Sequence, residues 1–510
     1  MTRINTNVAS LFAQRNLNRS NLDLENRLQR LATGLRINRG ADDPAGLIVS
    51  ERLRTELRGI EQGIKNSERA TNVIATAEGA LAEVSELLNS IKALVVEAAN
   101  SGAFSTEEIE ANQLQIDSAL DSITRISNTS SFAGLKLLNG SLAYRVSGID
   151  QTNIIKSQVF GANFGDRTTI PVDVEVIGSA QQANLHFRTD FSNLGGATDG
   201  VLPSATVLEI AGPLGVQELS FPSGTATSSI VAAINARTAI TGVQAVSQSI
   251  STVVFNSVGY GSESFVSVDR LSGGTSFQFA SILNNQPGPI NWAAPATYTT
   301  ADTDFGKDVE TLVNGAFVRG RGLDVTLRDP SLDLRVTLDA TFATTITGVP
   351  EDFVITGGGA LYQLGPQVNA QQQVSVGIAS IAATRLGGAL VTKSDGTQEV
   401  QFLSSLKEGG DNALSTSNFV NASAILDQAI DEISQARGRF GAFERNVLQT
   451  NIRSLQAGLE NITSSESIIR DADFAEETSA LTRSQILTQA GTSVLATANT
   501  NAQNVLQLLG

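Results

Sequence analysis

The stretch Ile74-Ala-Thr-Ala-Glu-Gly-Ala-Leu-Ala-Glu-Val-Ser-Glu-Leu-Leu-Asn-Ser-Ile-Lys-Ala-Leu-Val-Val-Glu-Ala98 decides how this chain is built. Ile74, Ala77, Leu81, Val84, Leu88, Ile91, Val95 and Ala98 recur at alternating steps of three and four, the spacing of one helix face. Upstream, Leu53, Leu57, Ile60 and Ile64 keep the same spacing. A continuous helix from about 47 to 99 would be roughly 80 Å long at 1.5 Å per residue. Helices of that length belong to bundles or coiled coils, because one apolar stripe cannot be buried by its own helix.

Outward from this stretch the pattern repeats at both ends. Leu17, Asn21, Leu24, Leu28, Leu31 and Leu35 predict a first helix. Asn38–Gly46 interrupts it, with Gly40 as the expected stop and Asp42-Asp43-Pro44 as the expected start of the next helix. Ser101-Gly102 closes the long helix, and Ser105 or Thr106 with Glu108 reads as a capping signal before Ile109, Gln113, Ile116, Leu120 and Ile123. Near the other end, Leu426, Ile430, Ile433, Arg437, Phe440, Glu444 and Val447 hold the spacing. Leu448, Ile452, Leu455, Leu459 and Ile462 resume it one residue out of phase. That shift has two readings: ordinary helix drift, or near-degenerate registers that permit slip. A terminal helix carries Leu487, Ala490, Val494, Asn501, Val505 and Leu508.

The middle differs. Of 11 prolines only Pro44 lies in the arms, and the single Trp, single His and all four Tyr lie between them. Period-two runs such as Val172–Ile177, Thr206–Ile210, Phe265–Val268, Leu323–Leu327 and Leu332–Leu338 predict strands, with one helical insert at Ser228–Arg237. The expected architecture is α+β and multidomain: a long antiparallel helical bundle or coiled coil from both termini, with β-rich central inserted domains. The expected divisions are 1–44, 45–145, 146–290, 291–410, 411–466 and 467–510, with a boundary between two β domains near Asn284–Trp292.

Composition excludes several chemistries. The 510 residues contain no Cys, so there are no disulfides or thiolate sites. His186 is alone, which excludes a multi-histidine metal site and a His-Glu-X-X-His protease. A ligand role for His186 is disfavoured, Gly357-Gly-Gly359 reads as a flexible turn, and nothing points to a glycosidase-like carboxylate pair. No cofactor is expected, and the chain reads as a non-enzyme. Net charge is −16, which argues against nucleic acid as a partner. No run approaches a membrane span, and the N-terminus has no cleavable leader pattern.

Charge is unevenly placed. Residues 1–40 carry seven Arg against Asp23 and Glu25, net +5; residues 470–510 carry two Arg against four acids, net −2. Opposite signs favour pairing of the two ends. The candidate assembly seam is Leu24, Leu28, Leu31, Leu35, Leu487, Val494, Val505 and Leu508, interrupted by Gln14, Asn21, Gln489 and Asn501. So polar a two-helix seam cannot offset chain entropy, so both ends are expected to be disordered in a lone monomer and to fold when copies bundle.

Both arms resemble bacterial flagellin. The likeness is carried by Arg3-Ile-Asn-Thr-Asn-Val8, Leu31-Ala-Thr-Gly-Leu-Arg-Ile-Asn38, Ala41-Asp-Asp-Pro-Ala-Gly-Leu47 and Phe132-Ala-Gly-Leu-Lys-Leu-Leu-Asn-Gly140. Towards the other end it is carried by Ile469-Arg-Asp-Ala-Asp-Phe-Ala475, Ser484-Gln-Ile-Leu-Thr-Gln-Ala-Gly-Thr-Ser-Val-Leu-Ala496 and Asn504-Val-Leu-Gln-Leu-Leu-Gly510. It covers roughly 1–145 and 410–510. The resemblance implies a filament subunit that polymerises head-to-tail for swimming motility, outside the cell, after export unfolded through the flagellar type III gate without a cleaved signal. It further implies a cytoplasmic chaperone on the C-terminal helix, a cap protein at the growing tip and a neighbouring junction protein. A hook–filament junction protein is the alternative, since it shares the terminal helices; the complete Gln489–Ala496 ending favours flagellin.

Many flagellins are sensed by Toll-like receptor 5 through the bundle helix. The matching stretch here is Asn89–Asn100. It has Asn89-Ser90 where the recognised form has Gln-Arg, and Lys92-Ala93 where that form has Arg-Glu; Leu94 is kept. Ser90 cannot replace an Arg anchor, so recognition is not expected.

Overall fold

The computed structural model describes residues 6–100, 102, 105–165, 167–188, 200–202, 204–249, 252–273, 278–282, 298–392 and 398–507. The expected boundary at Asn284–Trp292, Ser101, Arg3–Asn5 and Leu508–Gly510 lie outside the described residues, as does the Val505 side chain. The chain separates into two compact units. The smaller comprises Met1–Thr71, Gln363–Gln372 and Phe443–Gly510; the larger comprises Asn72–Tyr362 and Gln373–Ala442.

The long helix spans Pro44–Ala99 and contributes to both units. Every residue of its defining stripe is buried, from Ile74 to Ala98 at 1% exposure or less. Its start is capped by Asp43, whose Oδ1 accepts the Gly46 amide at 2.9 Å. Asp42 has a different task from the expected cap. Its carboxylate accepts the amides of Asn38 (3.0 Å) and Arg39 (2.9 Å) and so ties the preceding loop. The first helix, Val8–Thr33, stops at Gly34 rather than Gly40. Gly34 takes φ +71°, a conformation that costs other residues a Cβ clash, and its amide closes on Arg30 O. Leu35 therefore falls outside the helix.

In the larger unit, helix Thr106–Thr129 has the expected Ser105–Glu108 capping box and buries Ile116, Leu120 and Ile123. Helix Phe419–Phe443 buries Ile425, Leu426, Ala429, Ile433 and Phe440. Asp427 and Ser423 of that helix hold Lys92 of the long helix, at 2.7 and 2.6 Å.

The expected phase break near Val447 is a single π-helical turn, Glu444–Leu448, before the helix continues as Gln449–Arg470. It is a fixed one-residue insertion, not gradual drift. Eight residues of α-helix would turn Leu448 about 80° away from the side of Phe440. Absorbing one residue restores the alignment, and both side chains are buried.

The β-rich middle of the larger unit has two cores, and they are nested rather than consecutive as the sequence suggested. One sheet orders Ala316–Arg319, Glu310–Val313, Ile170–Gly178, Glu351–Gly357 and Arg145–Ser147; a second orders Asp324–Arg328, Leu332–Leu338 and Ile154–Ala162. They share a core including Val172, Val174, Val313, Val336 and Phe353. Between its two halves the chain builds the other core. Strands Asn184–Arg188, Val243–Ser249, Thr252–Ser257, Gln278–Ile282 and Tyr298–Thr300 form one sheet. Thr206–Gly212, Gly215–Phe221, Phe265–Ser272 and Thr303–Phe305 form its companion. Helix Thr227–Asn235 packs Ile230 and Ile234 into the same core. The reason for nesting is pairing: Val172 faces Phe353 and Val174 faces Val313 across long sequence separations.

Gly357, Gly358 and Gly359 all have positive φ. A Cβ on Gly358 would lie 2.3 Å from Ala143 O, and one on Gly359 2.6 Å from Ser375 Oγ. The triplet is a packed crossing point, not the flexible turn its composition suggested.

Candidate assembly interface

In the smaller unit the N-terminal helix lies antiparallel to the C-terminal helix, Phe474–Gln507. At one end, Asn7 caps its own helix by accepting the Ser10 amide (3.0 Å) and donates to Ala498 O (2.9 Å). The Ser10 hydroxyl donates to Asn499 Oδ1 at 2.8 Å. At the other end, Leu35 and Asp471 form an antiparallel bridge, with Arg36 N donating to Arg470 O (2.7 Å) and Ala472 N to Gly34 O (3.0 Å). Asp473 then caps the C-terminal helix, accepting the amides of Ala475 (2.8 Å) and Glu476 (3.2 Å).

Between these ties the two helices meet through small residues interleaved with leucines. Ser10, Ala13, Leu17, Ser20, Leu24, Arg27 and Leu31 lie at half-buried or buried positions, again at steps of three and four. Opposite them run Glu477, Leu481, Ser484, Thr488, Gly491, Leu495 and Ala498. A Cβ on Gly491 would stand 3.2 Å from Leu17 Cδ1, so glycine permits the close approach.

The charge asymmetry resolves at one residue. Arg27 and Arg30 both reach the buried Glu477, at 2.8 and 3.1 Å. Burial alone would raise the Glu477 pKa; the two guanidinium hydrogen bonds outweigh it and hold the carboxyl below its ordinary range.

The expected seam residues divide between two faces. Leu24 and Leu31 lie half-buried in the intrachain contact, and Leu35 sits at the bridge. Leu28, Leu487 and Val494 are exposed on the outward faces, as are Leu11, Phe12, Leu22 and Ile486. Gln14, Asn21, Gln489 and Asn501 are exposed too, so they do not interrupt the intrachain contact. Sequence reasoning missed Ser484, Thr488 and Gly491, because a stripe of small residues leaves no hydrophobic signal. The signal that could have found them is their shared spacing with Glu477.

Asn89 and Ser90 are exposed, Leu94 is half-buried, and Lys92 is engaged by Asp427. His186 is buried in strand Asn184–Arg188, and burial pushes its pKa down to about 4. Arg319 pairs with Glu310 (2.6 Å) and Arg321 with Glu263 (2.6 Å), all on the surface. Among the described residues no group of three His, Cys, Asp or Glu could hold a metal ion. None of the described helices is long and apolar enough to cross a membrane.

Comparison with known proteins addresses both arms. The bacterial flagellin N-terminal helical region matches residues 4–143, and the bacterial flagellin C-terminal helical region matches residues 423–509. The B-type flagellin of Pseudomonas aeruginosa is 31% identical over 525 residues, covering 99% of each chain. A flagellin of Salmonella typhimurium is 28% identical over 543 residues, with the same coverage. A hook-associated protein of Legionella pneumophila aligns with 81% of this chain and 97% of its own at 11% identity and a TM-score of 0.29, too low to bear on fold or function. End-to-end likeness to flagellins, which disfavours the junction-protein alternative, means that this chain belongs to the bacterial flagellin family, the structural subunits of the flagellar filament.

Proposed function

We propose that the paired terminal helices are the surface through which copies of this flagellin polymerise. The carrying observation is the split between faces. The intrachain contact half-buries Leu17, Leu24, Leu31, Leu481 and Leu495 among small residues and one buried carboxylate, while Leu11, Phe12, Leu22, Leu28, Ile486, Leu487 and Val494 remain exposed. Large apolar side chains left in water on a chain that polymerises are the natural seam between copies. A head-to-tail contact of this kind does not close into a ring and so extends into a filament.

In this reading residues 1–44 and 467–510 form the inner layer, 45–145 and 411–466 the helical layer around it, and the two nested β cores within 146–410 the outward variable part. The ends stay disordered until copies surround them, which prevents premature assembly. Their partners before and during assembly are the export gate, a chaperone on the C-terminal helix, the cap and the junction protein, and the filament stands outside the cell. Nucleic acid and membrane are not partners. Toll-like receptor 5 does not respond strongly, because Ser90 supplies no guanidinium and Lys92 is held by Asp427; strong activation in a cell reporter assay would refute this point.

Electron microscopy of the purified chain under polymerising conditions tests the main proposal. Smooth helical filaments, lost when residues 1–40 or 470–510 are removed, are expected. Filaments from either trimmed chain would refute it.

A further inference from the structure

The larger unit holds two Asn-Gly pairs, Asn139-Gly140 and Asn314-Gly315. Glycine has no Cβ, so in either pair the asparagine side chain can approach the next backbone nitrogen closely. As sequence the two pairs are equivalent; in the fold they are not.

Asn314-Gly315 is the two-residue turn of a hairpin, between Val313 and its partner Ala316. Both residues have positive φ, +50° and +76°, as a type I′ turn requires. Asn314 is tied to the neighbouring strand Ile170–Gly178 at three atoms. Its backbone amide donates to Asp173 O (3.0 Å), its Oδ1 accepts the Asp173 amide (3.0 Å), and its Nδ2 donates to Pro171 O (3.4 Å). The side chain cannot fold back on Gly315 without breaking these bonds.

Asn139-Gly140 lies in the turns between helix Thr106–Thr129 and strand Arg145–Ser147, with Asn139 exposed. Here Asn139 Oδ1 accepts the amide of Ser141, two residues on, at 3.0 Å. A side chain bonded in that way lies over the intervening nitrogen, that of Gly140. Neither Asn139 Nδ2 nor the Gly140 amide has a hydrogen-bond partner among the described residues. The flanking backbone is fixed: Leu138 O accepts the Ser127 hydroxyl (2.7 Å) and the Ile381 amide (3.1 Å), and Gly140 O accepts the Ala143 amide (3.1 Å).

We propose that Asn139 is a site of spontaneous self-modification, at which attack by the Gly140 nitrogen converts the asparagine to aspartate and isoaspartate. Gly140 N gives its proton to hydroxide, and its electron pair forms a bond to Asn139 Cγ. The bond from Cγ to Nδ2 breaks, and ammonia leaves with a proton taken from water. Water then opens the resulting succinimide at either carbonyl, leaving a normal Asp link or one that runs through the side chain. The net change is water taken up and ammonia released, with no oxidant or reductant. The Ser141 amide stabilises the negative charge that gathers on Oδ1 during the attack. The fixed turn holds nitrogen and carbon near each other, a proximity that an unfolded chain has to find. The isoaspartyl product adds a negative charge and one main-chain carbon to a turn whose neighbours are held in place.

The test is peptide mass spectrometry of the full chain, aged at mildly alkaline pH either folded or unfolded in guanidinium chloride, then digested briefly in weak acid. Each folded rate is read against the rate of the same asparagine in the unfolded chain. Folding should leave Asn139 converting at least as fast, with isoaspartate among its products. It should slow Asn314 about tenfold or more, a barrier difference of at least ~1.4 kcal/mol. Conversion at Asn139 should also rise with pH, because the attack requires loss of the Gly140 proton. Slowing of Asn139 by folding to the extent seen at Asn314 would overturn the proposal. Faster conversion of Asn314 than of Asn139 in the folded chain would overturn it as well. Neither outcome depends on whether the chain polymerises.

Discussion

The stripe of Ile74–Ala98 and the stripe of Ser10–Leu31 have the same spacing and bury different things. The first buries Ile74, Leu81, Val84, Leu88, Ile91 and Val95 almost completely inside one subunit. The second buries Ala13 alone among its apolar residues, and faces Ser484, Thr488 and Gly491. At roughly 25 cal/mol per Å² of apolar surface, the first region can offset its chain entropy from its own core. The second cannot: its leucines, Leu17, Leu24 and Leu31, are only half-buried, and Leu11, Phe12, Leu22 and Leu28 of the same helix are exposed. Helical periodicity alone does not say whether a helix is stable by itself; how completely its apolar face is buried does.

The sharpest way to break this comparison is hydrogen exchange on the monomer. Amides of residues 8–33 and 474–507 should exchange about a thousandfold faster than those of 74–98, since local opening costs range from near zero up to the global stability. In filaments the gap should close. Equal protection of both regions in the monomer would show that the terminal pair is stable alone.

Substitutions give the next largest contrast. Leu88→Ala should destabilise the monomer by about 2–5 kcal/mol in denaturant unfolding, because it opens a cavity at a fully buried site. Leu487→Ala should change monomer stability by no more than about 0.5 kcal/mol, being exposed, yet it should raise the critical concentration for polymerisation. A matched loss of monomer stability in both variants would erase the distinction.

The same contrast explains what could be read from the sequence. The 74–98 stripe was fully legible, because large apolar residues at helical spacing point where they are buried. The terminal seam was legible as helix but not as face. Leu28, Leu487 and Val494 gave the hydrophobic signal, while Ser484, Thr488 and Gly491 make the contact within the chain. The strands of the middle were found by alternation, but alternation names no partner. Nothing local in Ile170–Gly178 says that it pairs with Glu351–Gly357 and Glu310–Val313, so the nesting of two cores stayed hidden.

Acid provides the smallest effect and the most local one. Glu477 is the buried member of the terminal pair, and Arg27 and Arg30 hold its carboxyl below the ordinary value of 4.5. A carboxyl depressed on folding stabilises the folded pair above its unfolded pKa, and that contribution is lost as pH falls through the folded value. Both guanidiniums are partly exposed, at 31% and 26%, so salt and water screen the pair and its worth is about 1 kcal/mol. Filament stability, measured by sedimentation after equilibration, should therefore decline below about pH 4.5. In Glu477→Gln filaments that part of the decline should be absent, while filaments are already weaker near neutrality. The unfolding of the larger unit should be the same in both chains, because Glu477 is not part of it. An unchanged acid profile for Glu477→Gln would mean that the small-residue contact, not the ion pair, holds the ends together.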